Sequence, residues 1–327
     1  MSEDIQCQFT GKGKSYFRIW ISNIFLNIIT VGLYMPWAKV RTLQFFYSHT
    51  YAGEDNFKFT GNPWKMFKNR VIALLVLGIL SLCSQFISGF ENLVSVFVML
   101  IMPWVIVLSL RFYARHTRYR GVFFQFKGTV WGATQVFILF PLINVVTLFL
   151  LSPWLAKKHQ EYICNNYYYG KTPFELQVSA KTYYKMFMFI TLVTIAGLLV
   201  SGLFGAIIDR FFFFLGLYIT FFAVKNIFAL QLKKIMFDHL NIKSFRFKAD
   251  YQDSPFLKIA ASNFILTLLT LGFYFPWAKV RTMAYFTDHL EIRGDSSLDE
   301  FISHEVENVK ALGEELGDVL DIDVGFI

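Results

Sequence analysis

The chain has 327 residues, 55% hydrophobic and 19% aromatic with 39 Phe, an apolar load that excludes an ordinary water-soluble domain. Its net charge of +8 is uneven: ten acidic residues and the single base Lys310 lie between Asp295 and Ile327, leaving about +17 on the rest. Three widely spaced cysteines (Cys7, Cys83, Cys164) exclude a disulfide framework and a zinc knuckle, and no cofactor or metal is expected.

The charged start, Met1 to Arg18, runs into an uncharged stretch at 19–38 with no small-residue cleavage site, so no removable signal peptide is expected. This first segment, about 14–42, carries Asn23, Asn27 and Thr30 at spacings of three and four. It ends in Pro36-Trp37-Ala38-Lys39-Val40-Arg41-Thr42. After it, Gly53 to Asn56 reads as a turn and Phe57-Lys58-Phe59-Thr60-Gly61 as a period-2 strand. A hairpin of two apolar stretches, 71–90 and 92–110, follows within about 64–112, with its tip around Gly89 to Asn92.

The strand signature returns at Phe124 to Gly128, and a second copy of the first segment spans about 129–158. That copy holds Asn144, Thr147, Pro153 and Trp154, and Pro141 interrupts it. A second hairpin, about 184–232, turns at Asp209-Arg210, and Phe245 to Lys248 alternates again. The third copy, about 254–282, holds Asn263, Thr267 and Thr270 and repeats the heptapeptide as Pro276-Trp277-Ala278-Lys279-Val280-Arg281-Thr282. The order is therefore A, B, A, B, A. The last stretch, 295–327, reads as an acidic cytosolic tail, either a short amphipathic helix over Leu298 to Leu320 or a solvated arm.

The run Thr270-Leu271-Gly272-Phe273-Tyr274-Phe275-Pro276-Trp277-Ala278-Lys279-Val280-Arg281, repeated and interleaved with Phe-x-Phe strands, resembles the bacterial YjgN family of inner-membrane proteins of unknown function. The resemblance extends from about Phe9 to Gly294. It implies a bacterial cytoplasmic-membrane location and no particular activity. The middle copy departs from the pattern, with Phe149 in place of Gly and Ser152 before Pro153.

Basic residues set the expected topology. The connections 39–70, 111–128, 157–185 and 225–258 carry six, five, five and seven of them, against only Arg210 in the tips of the B hairpins. The B hairpins should span the membrane with both termini cytoplasmic. The A segments, basic at both ends, either span simply or re-enter. The expected fold is an all-α polytopic membrane protein with internal repeats, plus short cytosolic β-hairpins.

Two residue sets are candidates for function. Asn23, Asn27, Thr30, Asn144, Thr147, Asn263, Thr267 and Thr270 each lie on a helix face, as interhelical glue or as a polar path through the membrane. Pro36, Trp37, Lys39, Arg41, His49, Arg115, His116, Pro153, Trp154, Pro276, Trp277, Lys279, Arg281 and His289 mark an aromatic, basic interface able to meet anionic headgroups. His49, His116 and His289 each follow a Pro-Trp pair's Pro by thirteen residues, which points to one shared structural role. Gly13-Lys14-Ser15 and Gly170-Lys171-Thr172 lack the first glycine of a phosphate loop, and no enzyme is expected. The expected function is a small-solute transporter or channel-like protein; the alternative is a non-transporting scaffold, lipid-binding or assembly factor. A polar cavity bounded by Asn23, Asn144 and Asn263 would support the first, and a dry core with a basic aromatic cytosolic groove the second. Expected partners are membrane lipids and a second copy of the chain, not nucleic acid; the substrate is left open.

Overall fold

The alternation of apolar and polar residues over 4–9 puts Ile5, Cys7 and Phe9 on one face and Asp4, Gln6 and Gln8 on the other, which is a strand with one dry side. In the computed structural model, which describes residues 3–86, 90–294 and 297–315, this strand β1 (Glu3–Phe9) opens the first of five copies of one unit. From β1 the chain enters α1 (Gly13–Ile29), turns at 30–34, returns along α2 (Met35–Ser48) and leaves in β2 (Thr50–Ala52). The second unit is β3 (Asp55–Phe59), α3 (Pro63–Phe86), α4 (Phe90–Arg115) and β4 (Thr117–Tyr119); the tip expected at Gly89 to Asn92 lies partly outside the described residues. In the third, β5 (Val122–Phe126) leads to α5 (Val130–Thr134), a π-helical turn over Gln135–Leu139, α6 (Phe140–Val146), α7 (Ser152–Asn165) and β6 (Tyr167–Tyr169). The fourth runs β7 (Thr172–Pro173), β8 (Glu175–Leu176), α8 (Ala180–Ile207), α9 (Arg210–Asp238) and β9 (Leu240–Ile242). The fifth is β10 (Phe245–Ala249), α10 (Asp253–Leu269), α11 (Phe275–Asp288) and β11 (Leu290–Gly294), with α12 (Leu298–Glu315) after it.

The equivalence of the five units is chemical. In each, the backbone N–H of the residue just past the entering strand donates to the carbonyl of the residue that caps the second helix: Thr10 to His49, Thr60 to His116, Lys127 to Asn166, Gln177 to His239 and Asp250 to His289, at 2.8–3.1 Å. The capping side chain then bonds the carbonyl four residues back, in His49, His116, Asn166, His239 and His289 alike (2.7–2.9 Å). These contacts satisfy acceptors that a helix end leaves open. A and B segments are thus short and long forms of one hairpin.

The expectation of an all-α protein with separate short β-hairpins is overturned. The strands form a single antiparallel sheet in the order β7-β6-β5-β4-β3-β2-β1-β11-β10-β9-β8. Its two edge strands are separated only by Phe174, whose N–H donates to Tyr167 on one side, while Gln177 N–H donates to His239 on the other. The sheet is a nearly closed barrel. A hairpin alone leaves two rows of backbone groups unpaired; five arranged in a ring pair with one another, and β1 serves β2 and β11 at once.

Every helical hairpin begins and ends on this barrel, so all five project from the same side. Among the described residues, four helices are long and apolar enough to cross a membrane: Pro63–Ser84, Asn92–Arg115, Ala180–Ile207 and Arg210–Asp238. The A hairpins are shorter. The 17 residues of α1 reach about 25 Å at 1.5 Å per residue, and the tips are apolar and exposed, with Val31, Leu148 and Leu271 at 92%, 82% and 89%. Backbone donors in such a tip need partners if it sits in lipid. In the first copy Thr30, Val31, Gly32, Leu33 and Met35 each donate to a nearby carbonyl, and Tyr34 donates to the Thr30 hydroxyl (3.0 Å). The third copy repeats the pattern with Thr270 and Tyr274 (2.9 Å). The turn needs left-handed backbone, supplied by Gly32 (φ 83°) and Gly272 (φ 93°); in the middle copy Phe149 takes it at φ 65°. There Pro141 also lacks an N–H, and the Val136 carbonyl five residues before it bonds His159 Nε2 instead (2.9 Å); burial lowers the pKa of that imidazole.

A cavity inside the barrel

The inward faces of the strands hold Ile5, Cys7, Ala52, Tyr119, Val122, Tyr169, Ile242 and Phe245, backed by Phe57, Phe124, Phe247 and Ile292. These side chains do not fill the barrel. All of them but Ile5 and Val122 line a cavity of about 480 Å³, within the range of small-molecule sites. Its tyrosine hydroxyls are already spent on the walls: Tyr119 donates to the Ala52 carbonyl (2.5 Å), Tyr169 to Tyr119 (3.1 Å) and Tyr251 to Phe286 (2.9 Å). The surface left to a ligand is apolar. Burial pushes the Cys7 thiol up to about 11 and the Tyr119 phenol up to about 12, so both stay neutral at neutral pH.

One mouth of the barrel is closed by α12. Phe301 and Ile302 enter the lumen, and Glu305, 2% exposed, accepts from the Lys171 N–H (2.7 Å) and the Thr172 hydroxyl (2.8 Å) on the turn before β7. A Cβ at Gly170 would lie 2.2 Å from the Glu305 carboxylate, so the close approach requires glycine. On the β4–β5 turn, Arg120 bridges Asp55 (3.0 Å) and Asp299 (2.5 Å). The acidic tail, as far as it is described, is therefore a helix packed across the barrel and not a solvated arm; residues 316–327 lie outside the described residues.

The other mouth faces the membrane helices. Counted from each capping residue, the side chain two positions before it (Tyr47, Ala114, Cys164, Phe237, Thr287) and the one just after it (Thr50, Thr117, Tyr167, Leu240, Leu290) line either this cavity or an adjoining one of about 320 Å³. The two share Phe57, Phe124, Phe174, Met236 and Leu240 as walls. All five repeats thus build an axial space that runs from the ends of α2, α4, α7, α9 and α11 into the barrel. Among the described residues, Lys233 is the only charged one on either wall.

Most of the residues expected to form a polar path bond within their own hairpins, while Asn23 Oδ1 and Asn27 Oδ1 are buried without a partner among the described residues. Asn23 and Asn263 each donate to the carbonyl of the motif alanine, Ala38 or Ala278 (3.2 Å). Asn144 donates to the Ser152 hydroxyl (3.1 Å). Thr30, Thr147 and Thr270 hydroxyls bond carbonyls of their own turns, and the carbonyls of Asn27 and Thr267 receive Gly32 and Gly272 N–H (2.7 Å). None of these residues lines either cavity.

The interface residues divide. Pro36, Pro153 and Pro276 are buried second residues of α2, α7 and α11. Trp37 packs on Trp64 and Phe67 of α3, Trp277 on Phe17 of α1, and Trp154 on Phe140, so the first two cement neighbouring repeats. Arg281 reaches Asn263 Oδ1 (2.9 Å), whereas Arg41 lies over Tyr34. Lys39 and Lys279 place their ammonium groups over Tyr113 and Phe46 of the following repeat. Arg115 ends α4, and His49, His116 and His289 are the caps described above. Lys233 and the lumen aromatics escaped the sequence reading because strand partners, and hence an inside, are not encoded in local alternation.

A family model described as "Bacterial protein of unknown function (DUF898)" matches residues 4–319. The chain belongs to that family. It is 21% identical over 348 residues, 88% of each chain, to the inner membrane protein YjgN of Salmonella typhimurium. It is also 26% identical over 150 residues to the protein of the same name from Escherichia coli O157:H7, covering 44% of this chain and 37% of that one. No solved structure matches. With its four spanning-length helices, the chain is an inner-membrane protein of a family of unknown function.

Proposed function

We propose that this protein binds membrane lipid by taking an apolar chain into the barrel. The observation that carries the reading is the dry axial cavity, walled by every repeat at the membrane-side mouth and closed at the far mouth by α12. An aqueous transport path is the less favoured reading, because Asn23, Asn144 and Asn263 donate within their own hairpins and none of the residues expected to line one borders the axial cavity.

The barrel and both described ends of the chain stand on the cytoplasmic side in this reading, since the basic connections are those that meet the barrel. The B hairpins cross, with the charged Asp209-Arg210 tip emerging outside. The A hairpins re-enter, and their uncharged tips stay in hydrocarbon. A chain entering from the inner leaflet would move from lipid into a lumen of similar polarity, at little cost in solvation.

Native mass spectrometry of protein extracted with its lipids tests this. Wild type should retain a lipid adduct that Ala52→Trp, which fills the lumen from β2, removes without unfolding the protein. An adduct pattern identical in the two would rule out lumen binding.

A further inference from the structure

We infer that Lys233 receives the anionic head of the bound amphiphile, so that the ligand is an alkyl carboxylate or alkyl phosphate and not a neutral lipid. This rests on the lumen reading above. The five repeats supply an internal comparison. Six residues before the cap, successive repeats place Leu43, Leu110, Gln160, Lys233 and Met283. Four are uncharged. The fourth repeat alone puts an ammonium there, on the wall of an otherwise apolar cavity.

Lys233 has no carboxylate partner among the described residues; its ammonium lies over the Phe286 ring, 3.6 Å from the centroid. A ring face occupies one side of an ammonium that has three donors, and the side chain is exposed and borders the cavity. The next two repeats around the ring carry the same pairing of ammonium and ring. Lys279 lies 4.8 Å from the Phe46 centroid and Lys39 5.0 Å from that of Tyr113, and in all three pairs the ring stands three residues before its own cap. An uncompensated cation beside a dry lumen favours a ligand that brings both a negative head and an apolar chain.

The test uses the full chain in nanodiscs of zwitterionic phosphatidylcholine and displacement of a fluorescent fatty acid. Tetradecanoate and tetradecyl phosphate should compete at least tenfold better than tetradecanol. Lys233→Met should remove that advantage while leaving tetradecanol unchanged, and Lys233→Arg should restore it. Equal competition by acid and alcohol in wild type, or an advantage that survives in Lys233→Met, overturns the assignment of Lys233 but leaves the lumen reading standing. Competition by acetate or inorganic phosphate as strong as by the long-chain acids overturns the amphiphile itself. If Ala52→Trp leaves all binding intact, the lumen reading fails.

Discussion

Replacing Glu305 by Gln should loosen α12 without disturbing the membrane hairpins. The carboxylate is 2% exposed and accepts two hydrogen bonds, from Lys171 N–H at 2.7 Å and Thr172 Oγ1 at 2.8 Å. A hydrogen bond to a charged group contributes about 1.5–3 kcal/mol. The amide keeps one acceptor oxygen and turns its NH2 toward a second donor, so one such bond is lost and a donor is left facing a donor. Phe301 and Ile302 stay in place as apolar contacts, so the cost is local. An opening equilibrium shifted by about 1.5–3 kcal/mol corresponds to roughly 10- to 150-fold faster amide exchange over the α12 backbone. Hydrogen exchange read by mass spectrometry should show this rise in α12 and an unchanged pattern in α8 and α9. Unaltered exchange in α12, or an equal increase through the hairpins, would refute the idea that this carboxylate is the latch.

Gly170→Ala should release the same helix by another route, since its Cβ meets the Glu305 carboxylate and the backbone sits at φ 59°; susceptibility to protease between β11 and α12 reports it. Thr270→Val leaves the Tyr274 N–H without its acceptor in an apolar tip, which should cost about 1–3 kcal/mol and lower the thermal unfolding temperature in detergent, whereas Thr194→Val in mid-helix should do far less. In a Cys83→Ser, Cys164→Ser background, Cys7 should alkylate far more slowly at neutral pH than in the unfolded chain, because burial pushes its thiol up to about 11; equal rates would contradict the burial of Cys7 in the barrel. The raised Cys7 and Tyr119 groups stabilise the barrel fully below their unfolded values of 9.0 and 10.0 and progressively less as pH climbs toward about 11 and 12, so chemical unfolding of the barrel should become easier across that alkaline window.

Much of the architecture was open to reading from residues alone. The hairpins at 71–110 and 186–224 carry charge only at their tips, in Glu91 and in Asp209-Arg210, and the A segments announce their breaks through Gly32, Pro36, Gly272 and Pro276. The equal spacing of His49, His116 and His289 from their prolines marked one structural role, which is helix capping; Asn166 and His239 complete the set without a full Pro-Trp-Lys signature. The barrel was missed for a physical reason. Strands such as Thr50–Ala52 and Thr172–Pro173 are two or three residues long, and period-2 alternation fixes which face is dry without naming the neighbour. Alternation through Ile5, Cys7 and Phe9 was present in the sequence but masked by the charges around it. The asparagines left two readings open, interhelical bonding and a polar path, because amide groups in an apolar helix fit both; Asn23 and Asn263 bond the Ala38 and Ala278 carbonyls of the adjacent helix.

Photocrosslinking with a fatty acid that carries a diazirine near its chain end tests the central claim most directly. The chain end should label peptides containing Tyr169, Phe245 or Phe301 inside the barrel, and Ala52→Trp should abolish those adducts. Labelling confined to lipid-facing positions such as Leu199 and Leu203 on α8, unchanged by that substitution, would contradict a lumen that takes lipid.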